Sequence, residues 1–247
     1  MKRVANRGAA LNFYLFLGAL FIAALVGGNL MFQKFFYWTP LGFLESYSSE
    51  GSWLYHLTDF TFEISVGIIP YPVTFLVTDL ISEIYGRKRA NRVVMAGLLA
   101  TLFVLLMVTL SNVAPATDWS PVDDERFQQV FGLTGVAVTA SMVAYLLAQF
   151  IDIRIFHFWK RLTNGKHLWL RNNGSTMVSQ FVDTAAVVGL LCLFGAIDWV
   201  RFWPLVFNGF LFKVMVAFID TPFFYATSWL ARRYFGLKLG EEIDLTA

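Results

Sequence analysis

Apolar residues fall in six long runs separated by short polar connections, near 11–33, 63–86, 91–113, 130–156, 175–197 and 204–230. A hydrocarbon core of about 30 Å takes roughly 20 helical residues to cross, so each run is long enough to span a bilayer as an α-helix. The third is the plainest, because Val93 to Val113 holds no charged residue. The second is interrupted. Pro70 and Pro72 each lack a backbone donor and push Ile69 and Tyr71 away from helical geometry. That predicts a broken or re-entrant outer half and a helix restarting near Val73, whose free amino end attracts negative charge or a substrate acceptor. The plainer reading is a simple proline kink. The expected fold is all-α: one polytopic integral membrane domain over 1–247 with six transmembrane helices. The connections near 34–62 and 114–129 are too short for a soluble domain.

Composition agrees, since 57% of the 247 residues are hydrophobic and only 15% charged, with 26 Phe, a balance outside that of soluble domains. Loop charge then sets orientation. Lys2, Arg3 and Arg7 precede the first span; Arg87, Lys88, Arg89 and Arg92 follow the second. Arg154, Lys160, Arg161, Lys166 and Arg171 end or follow the fourth, and Arg232, Arg233 and Lys238 follow the sixth. These fifteen of the nineteen basic residues share one side, so the positive-inside rule puts both termini in the cytoplasm and requires an even number of spans. The other side holds Lys34, Arg126 and Arg201 among acids, and Glu63 at the mouth of the second span reads as solvated. The run from Leu11 to Phe32 is too long for a secretory h-region and lacks an Ala-X-Ala exit, so it reads as a span. Topology accounts for the basic residues, and no nucleic-acid partner is implied. Cys192 is alone in mid-span, and His56, His157 and His167 have no ligand spacing, so no disulfide, metal or cofactor is expected.

Ionisable and amide side chains inside the spans are the candidate chemistry, because a charge in hydrocarbon is expensive and is kept for work or for pairing. The second span places Asp79 and Glu83 four apart on one face, with Thr74 and Thr78 forming a second polar pair. The fourth carries Gln149 and Asp152, and the fifth aligns Ser175, Ser179 and Asp183, with Thr176, Gln180 and Asp183 on an overlapping face. The sixth places Lys213 near mid-depth and Asp220 seven residues on. The first adds Asn29 and Gln33. A cationic Lys213 paired with one or two of the acids is the expected solution. Glu83 and Asp152 lie near the cytoplasmic boundary and read equally well as structural. Asn29, Gln149 and Gln180 read also as interhelical glue, and Ala19, Ala23 and Gly27, with Ala24 and Gly28, as small-residue helix contacts. The tetrads Gln149-Phe150-Ile151-Asp152 and Gln180-Phe181-Val182-Asp183 match on spans of opposite direction, which would suit an inverted repeat of three spans per half.

Several amides and carboxylates among aromatics suit a flat, polar-edged heterocycle, since a carboxylate accepts two hydrogen bonds from an amidine-like edge while a ring stacks on Phe or Trp. Guanine-like bases present that edge, and the preference over a sugar is mild. The series Pro72-Val73-Thr74-Phe75, Thr78-Asp79, Glu83, Tyr85-Gly86, Gln149, Asp152, Trp169, Arg171, Ser175, Gln180, Asp183-Thr184, Lys213 and Asp220-Thr221 resembles the queuosine precursor transporter family, also called the vitamin uptake transporter family. The resemblance runs from about Asn29 to Thr221, and the loop from Pro40 to Asp59 is longer than the family pattern. It implies a multi-pass inner-membrane importer of 7-cyano-7-deazaguanine and 7-aminomethyl-7-deazaguanine for tRNA queuosine salvage, not an enzyme. The expected substrate-binding residues are Asn29, Thr74, Thr78, Asp79, Glu83, Gln149, Asp152, Ser179, Gln180 and Asp183. Lys213 and Asp220 are the expected charge pair that rearranges during alternating access. The residues allow a proton or sodium as coupling ion, and a homo-oligomer. The rival readings are the substrate-capturing subunit of an energy-coupling-factor system and, further off, an intramembrane enzyme.

Overall fold

Two prolines decide where the second apolar run becomes helical. Pro70 sits at the N-cap and Pro72 within the first turn, positions where the missing N–H would have had no partner in any case. The computed structural model describes residues 7–43, 60–162, 168–238 and 241–245. Among them are helices α1 (Arg7–Met31), α2 (Tyr71–Tyr85), α3 (Arg87–Val113), α4 (Asp124–Phe131), α5 (Thr134–Leu162), α6 (Leu168–Leu193) and α7 (Phe202–Phe235). Two short strands, β1 (Phe35–Trp38) and β2 (Phe62–Ser65), pair antiparallel. Among the described residues, five segments are long and apolar enough to cross a bilayer: Arg7–Met31, Val66–Tyr85, Lys88–Val113, Asp124–Tyr145 and Trp199–Phe235. Helix α6 adds the apolar stretch Met177–Leu193. The protein is an all-α polytopic membrane protein with one small β-ribbon.

The ends of the predicted spans need correction. Residues 63–65, expected in the second span, belong to β2, because Phe62 and Ile64 alternate with Glu63 and Ser65 and bury one face of a strand. The first helix stops at Met31, which leaves Gln33 beyond it and off the face of Asn29. Residues 130–131 belong to the short α4, whose N-cap Asp123 accepts the Arg126 N–H at 2.8 Å. The fifth span ends at Leu193 in a Schellman turn: Ala196 N donates to Leu191 O at 2.9 Å and Gly195, at φ 73°, to Cys192 O at 3.0 Å.

The chain forms two compact units, one of residues 1–31, 69–138 and 215–247, the other of 32–68 and 139–214. In the first, Leu17 and Phe21 of α1 meet Val77, Leu80, Ile81 and Ile84 of α2 and Ala90 and Val93 of α3. Gly97 makes room for the aromatic ring, since a Cβ there would lie 2.6 Å from Phe21 Cε1. Of the expected small-residue contacts on α1, Ala19 and Ala23 are exposed while Ala24, Gly27 and Gly28 are half-buried. Segment 241–245 completes this core. Ile243 N donates to Ile84 O at 2.8 Å, Arg7 Nη2 donates to Leu245 O at 2.5 Å, and Ile243 and Leu245 are buried. Tyr85 donates to Ala10 O at 2.7 Å and packs edge-on against Tyr14.

In the second unit, β1 and β2 pair Trp38 with Phe62 and Tyr37 with Glu63. The ribbon is extended by Val66 N donating to Lys34 O at 2.7 Å and Ser65 Oγ to Phe32 O at 2.5 Å. Helices α6 and α7 pack through Val188, Cys192, Leu205 and Val206.

Gly86, between α2 and α3, holds φ 85° and ψ 159°, a region open almost only to glycine. A Cβ there would also lie 2.3 Å from Glu242 Oε2, but that carboxylate is a flexible end and can swing away. Gly86→Ala is therefore expected to cost about 1–3 kcal/mol of backbone strain, read by unfolding of the detergent-solubilised protein, and Glu242→Ala should not restore it. Full restoration by Glu242→Ala would instead make the contact the cause.

Candidate functional site

Helices α6 and α7 approach in opposite directions, and one glycine sets how closely. A Cβ on Gly209 of α7 would lie 3.0 Å from Thr184 Cγ2 of α6, so the backbones come near at that level. Lys213 stands one turn beyond Gly209 and Asp183 one residue before Thr184. The result is an ion pair, Lys213 Nζ donating to Asp183 Oδ2 at 2.7 Å, with the two side chains only 7% and 10% exposed. Ionised groups this deep are tolerable when each neutralises the other, because neither has water to solvate it. Ser179, one turn before Asp183, is buried, and Gln180 is half-buried. Thr184 donates its hydroxyl to Gln180 O at 2.8 Å, a bond internal to the helix. Edge-on packing of Phe181 against Phe210, centroids 5.5 Å apart, flanks the pair.

The expected partner of Lys213 was Asp220; the ion pair described here is with Asp183. The helical period put Lys213 and Asp220 on one face, but they are seven residues apart along a rigid rod, roughly 10 Å, whereas α6 brings its acid directly alongside. Asp220 is half-buried on α7, in the portion that belongs to the first unit.

The remaining candidates divide clearly. Asn29, Thr74, Thr78, Asp79 and Glu83 belong to the first unit. Asn29 is half-buried and Asp79 exposed. Thr74 donates to Tyr71 O at 2.6 Å, and Thr78 to Thr74 O at 2.9 Å, so these hydroxyls have their proton directed into their own helix and offer a ligand chiefly acceptor lone pairs. Glu83 is bound by Arg232 of α7, which also donates to Lys238 O. Those contacts tie the end of α2 to the end of α7. The backbone of α5 carries Gln149 and Asp152, but their side chains lie outside the described residues, as do those of Trp169, Arg171, Ser175 and Thr176.

Glu63 keeps access to solvent, its side chain 24% exposed, and also has a protein partner: Arg201 Nη1, just ahead of α7, lies 2.9 Å from both of its carboxylate oxygens. The only signal for it was that Arg201 is one of three basic residues among the acids of its side. Trp38 was also missed. It packs on Phe62 and, edge-on at 5.8 Å, on Phe212, the neighbour of Lys213. A strand within a presumed loop gave no pattern by which to place it.

The profile of the vitamin uptake transporter family matches residues 65–227, a segment that contains every expected substrate-binding and charge-pair residue except Asn29. A Bacillus subtilis (strain 168) protein named probable queuosine precursor transporter is 30% identical over 168 residues, 66% of this chain and 70% of the relative. The queuosine precursor transporter of Escherichia coli (strain K12) is 29% identical over 125 residues, 51% of this chain and 53% of that protein. A Haemophilus influenzae (strain ATCC 51907 / DSM 11121 / KW20 / Rd) protein named probable queuosine precursor transporter is 25% identical over 173 residues, 65% of this chain and 66% of its own length. The chain thus spans about half of the Escherichia coli relative and just under two thirds of the Haemophilus one. No solved structure matches it.

Removing one member of the buried pair strands the other. Asp183→Asn and Lys213→Met are each expected to cost about 3–5 kcal/mol of unfolding free energy. The double variant should lose less than their sum, with a coupling of at least about 2 kcal/mol in a double-mutant cycle on detergent-solubilised protein. Additive losses would separate the two residues energetically.

Proposed function

The chain belongs to the vitamin uptake transporter family, and on that premise we propose that it imports queuosine precursors, 7-cyano-7-deazaguanine and 7-aminomethyl-7-deazaguanine, as a secondary transporter. It is a transport protein of the bacterial inner membrane with several spans, not an enzyme. The observation that carries the substrate assignment is the 30% identity with the Bacillus subtilis relative over 168 residues. The chemistry of the site agrees with it: a carboxylate accepts from a guanine-like edge, an ammonium donates to it, and Ser179 and Gln180 stand within about a turn of the aspartate on α6.

In this reading Asp79, Asp183, Gln149 and Gln180 contact the substrate edge, with Asn29, Thr74, Thr78 and Ser179 supplying neutral polar contacts. Glu83 and Asp152 keep the boundary. Lys213 and Asp220 are the charged groups that rearrange during the cycle, and Lys213 is held by Asp183 in the structure described here. Protonation of an acid would loosen its hold on the lysine and couple proton entry to the exchange, because a neutral carboxyl attracts the ammonium far less than its anion.

Purified full-length protein in proteoliposomes is expected to take up labelled 7-cyano-7-deazaguanine with no ATPase subunit present. Uptake no greater than in protein-free liposomes would overturn the import reading, and dependence on an added ATPase would favour the energy-coupling-factor alternative. An imposed proton gradient should drive accumulation and an uncoupler should abolish it. Indifference to both, with dependence on sodium, would replace the proton by sodium. Asp79→Asn should lower uptake by at least about tenfold, the loss expected when one strong hydrogen-bond partner is removed.

A further inference from the structure

Resting on the import reading, we propose that the Asp183–Lys213 ion pair is itself the reader of the substrate's hydrogen-bonding edge. A 2-amino-6-oxo base replaces the contact between the two side chains, its O6 accepting from the lysine while N1–H and the 2-amino group donate to the aspartate.

The pair presents a donor, Nζ, beside an acceptor, Oδ2, at 2.7 Å. The edge of a guanine-like base runs acceptor, donor, donor in the same plane, so it complements the pair member by member. Burial makes this complementarity selective. Both side chains are about nine-tenths buried, and a ligand that satisfied only one would leave the other ion desolvated without a partner. An adenine-like edge is wrong twice over, turning a donor toward the ammonium and an acceptor toward the carboxylate. Sugars and aliphatic amino acids lack the fixed planar sequence of groups altogether. Gln180 and Ser179, on the same stretch of α6 as Asp183, add neutral contacts that tolerate either partner of the exchange.

The 7-position of a deazaguanine lies on the five-membered ring, away from the edge that the ion pair would hold. A site that reads only the edge is therefore blind to the 7-substituent, which is how one site accepts both a nitrile and an aminomethyl group. Selectivity lies in the six-membered ring.

Competition against labelled 7-cyano-7-deazaguanine in proteoliposomes of the full-length wild type tests this. Unlabelled 7-deazaguanine should compete well, 7-deazahypoxanthine, which lacks the 2-amino group, at least about tenfold less well, and 7-deazaadenine at least about a hundredfold less well, as expected of a site built to hydrogen-bond its substrate. Lys213→Met should narrow the gap between 6-oxo and 6-amino competitors while keeping the 2-amino preference, and Asp183→Asn should chiefly erase the 2-amino preference. If either variant fails to fold, the wild-type competition still decides. Uptake of the label with 6-oxo and 6-amino compounds competing within about threefold of each other would overturn the edge-reading role and leave the import reading intact. Variants that transport with unchanged selectivity would overturn it as well. No uptake of any deazaguanine by the wild type would overturn the import reading, and the edge-reading role with it.

Discussion

An ion in a bilayer cannot be left to water, and the arrangement of the second unit follows from that constraint. Lys213 is tolerable in α7 because Asp183 lies 2.7 Å away, and Asp183 is that close because Gly209 lets α7 approach α6 at the level of Thr184. Sequence, backbone approach and electrostatics are thus linked: a methyl at position 209 would press on Thr184 Cγ2 at 3.0 Å, one residue from the acid that pairs with Lys213, so the neighbour would have to give by a few tenths of an ångström. The same logic recurs at Glu63 with Arg201 and at Glu83 with Arg232. These two are more exposed, so water shares the solvation and the pairs matter less to stability.

Much of this was legible in the residues. Apolar runs fixed the helices because a bilayer demands about 20 apolar residues in a row, and Pro70 and Pro72 marked the break before α2. That Lys213 would meet an acid also followed from charge alone. Which acid did not follow, because helical periodicity reports which side chains share a face and says nothing of which helix stands opposite. Asp183 and Lys213 are separated by 30 residues, while Glu63 and Arg201 are separated by 138 and Glu83 and Arg232 by 149; no local pattern links such positions. The ribbon escaped for a different reason. Four-residue strands beside an apolar run are too short to show a period of their own, so Phe62 read as connection and Glu63 to Ser65 as the start of a helix.

Each unit is assembled from segments distant in sequence. Helices α5 and α7 cross the boundary, so the residues of α7 serve both units: Lys213 contributes to one, Asp220 and Arg232 to the other. Each unit draws on both halves of the chain, and the matching tetrads of α5 and α6 lie on helices whose residues 139–162 and 168–193 fall in the second unit.

The short segment that closes the first unit has a temporal meaning. Ile243 and Leu245 lie downstream of every helix they touch, and the bond from Arg7 to the Leu245 carbonyl spans 238 residues. During synthesis α1 enters the membrane long before its closing partner has been translated. The nascent protein therefore inserts as an unclasped bundle, with Ile84 O still without the N–H that Ile243 later donates. A ribosome stalled after α7 but before residue 243 would leave behind a polypeptide whose first-unit core still lacks Ile243 and Leu245, with that edge of the core open to quality-control proteases.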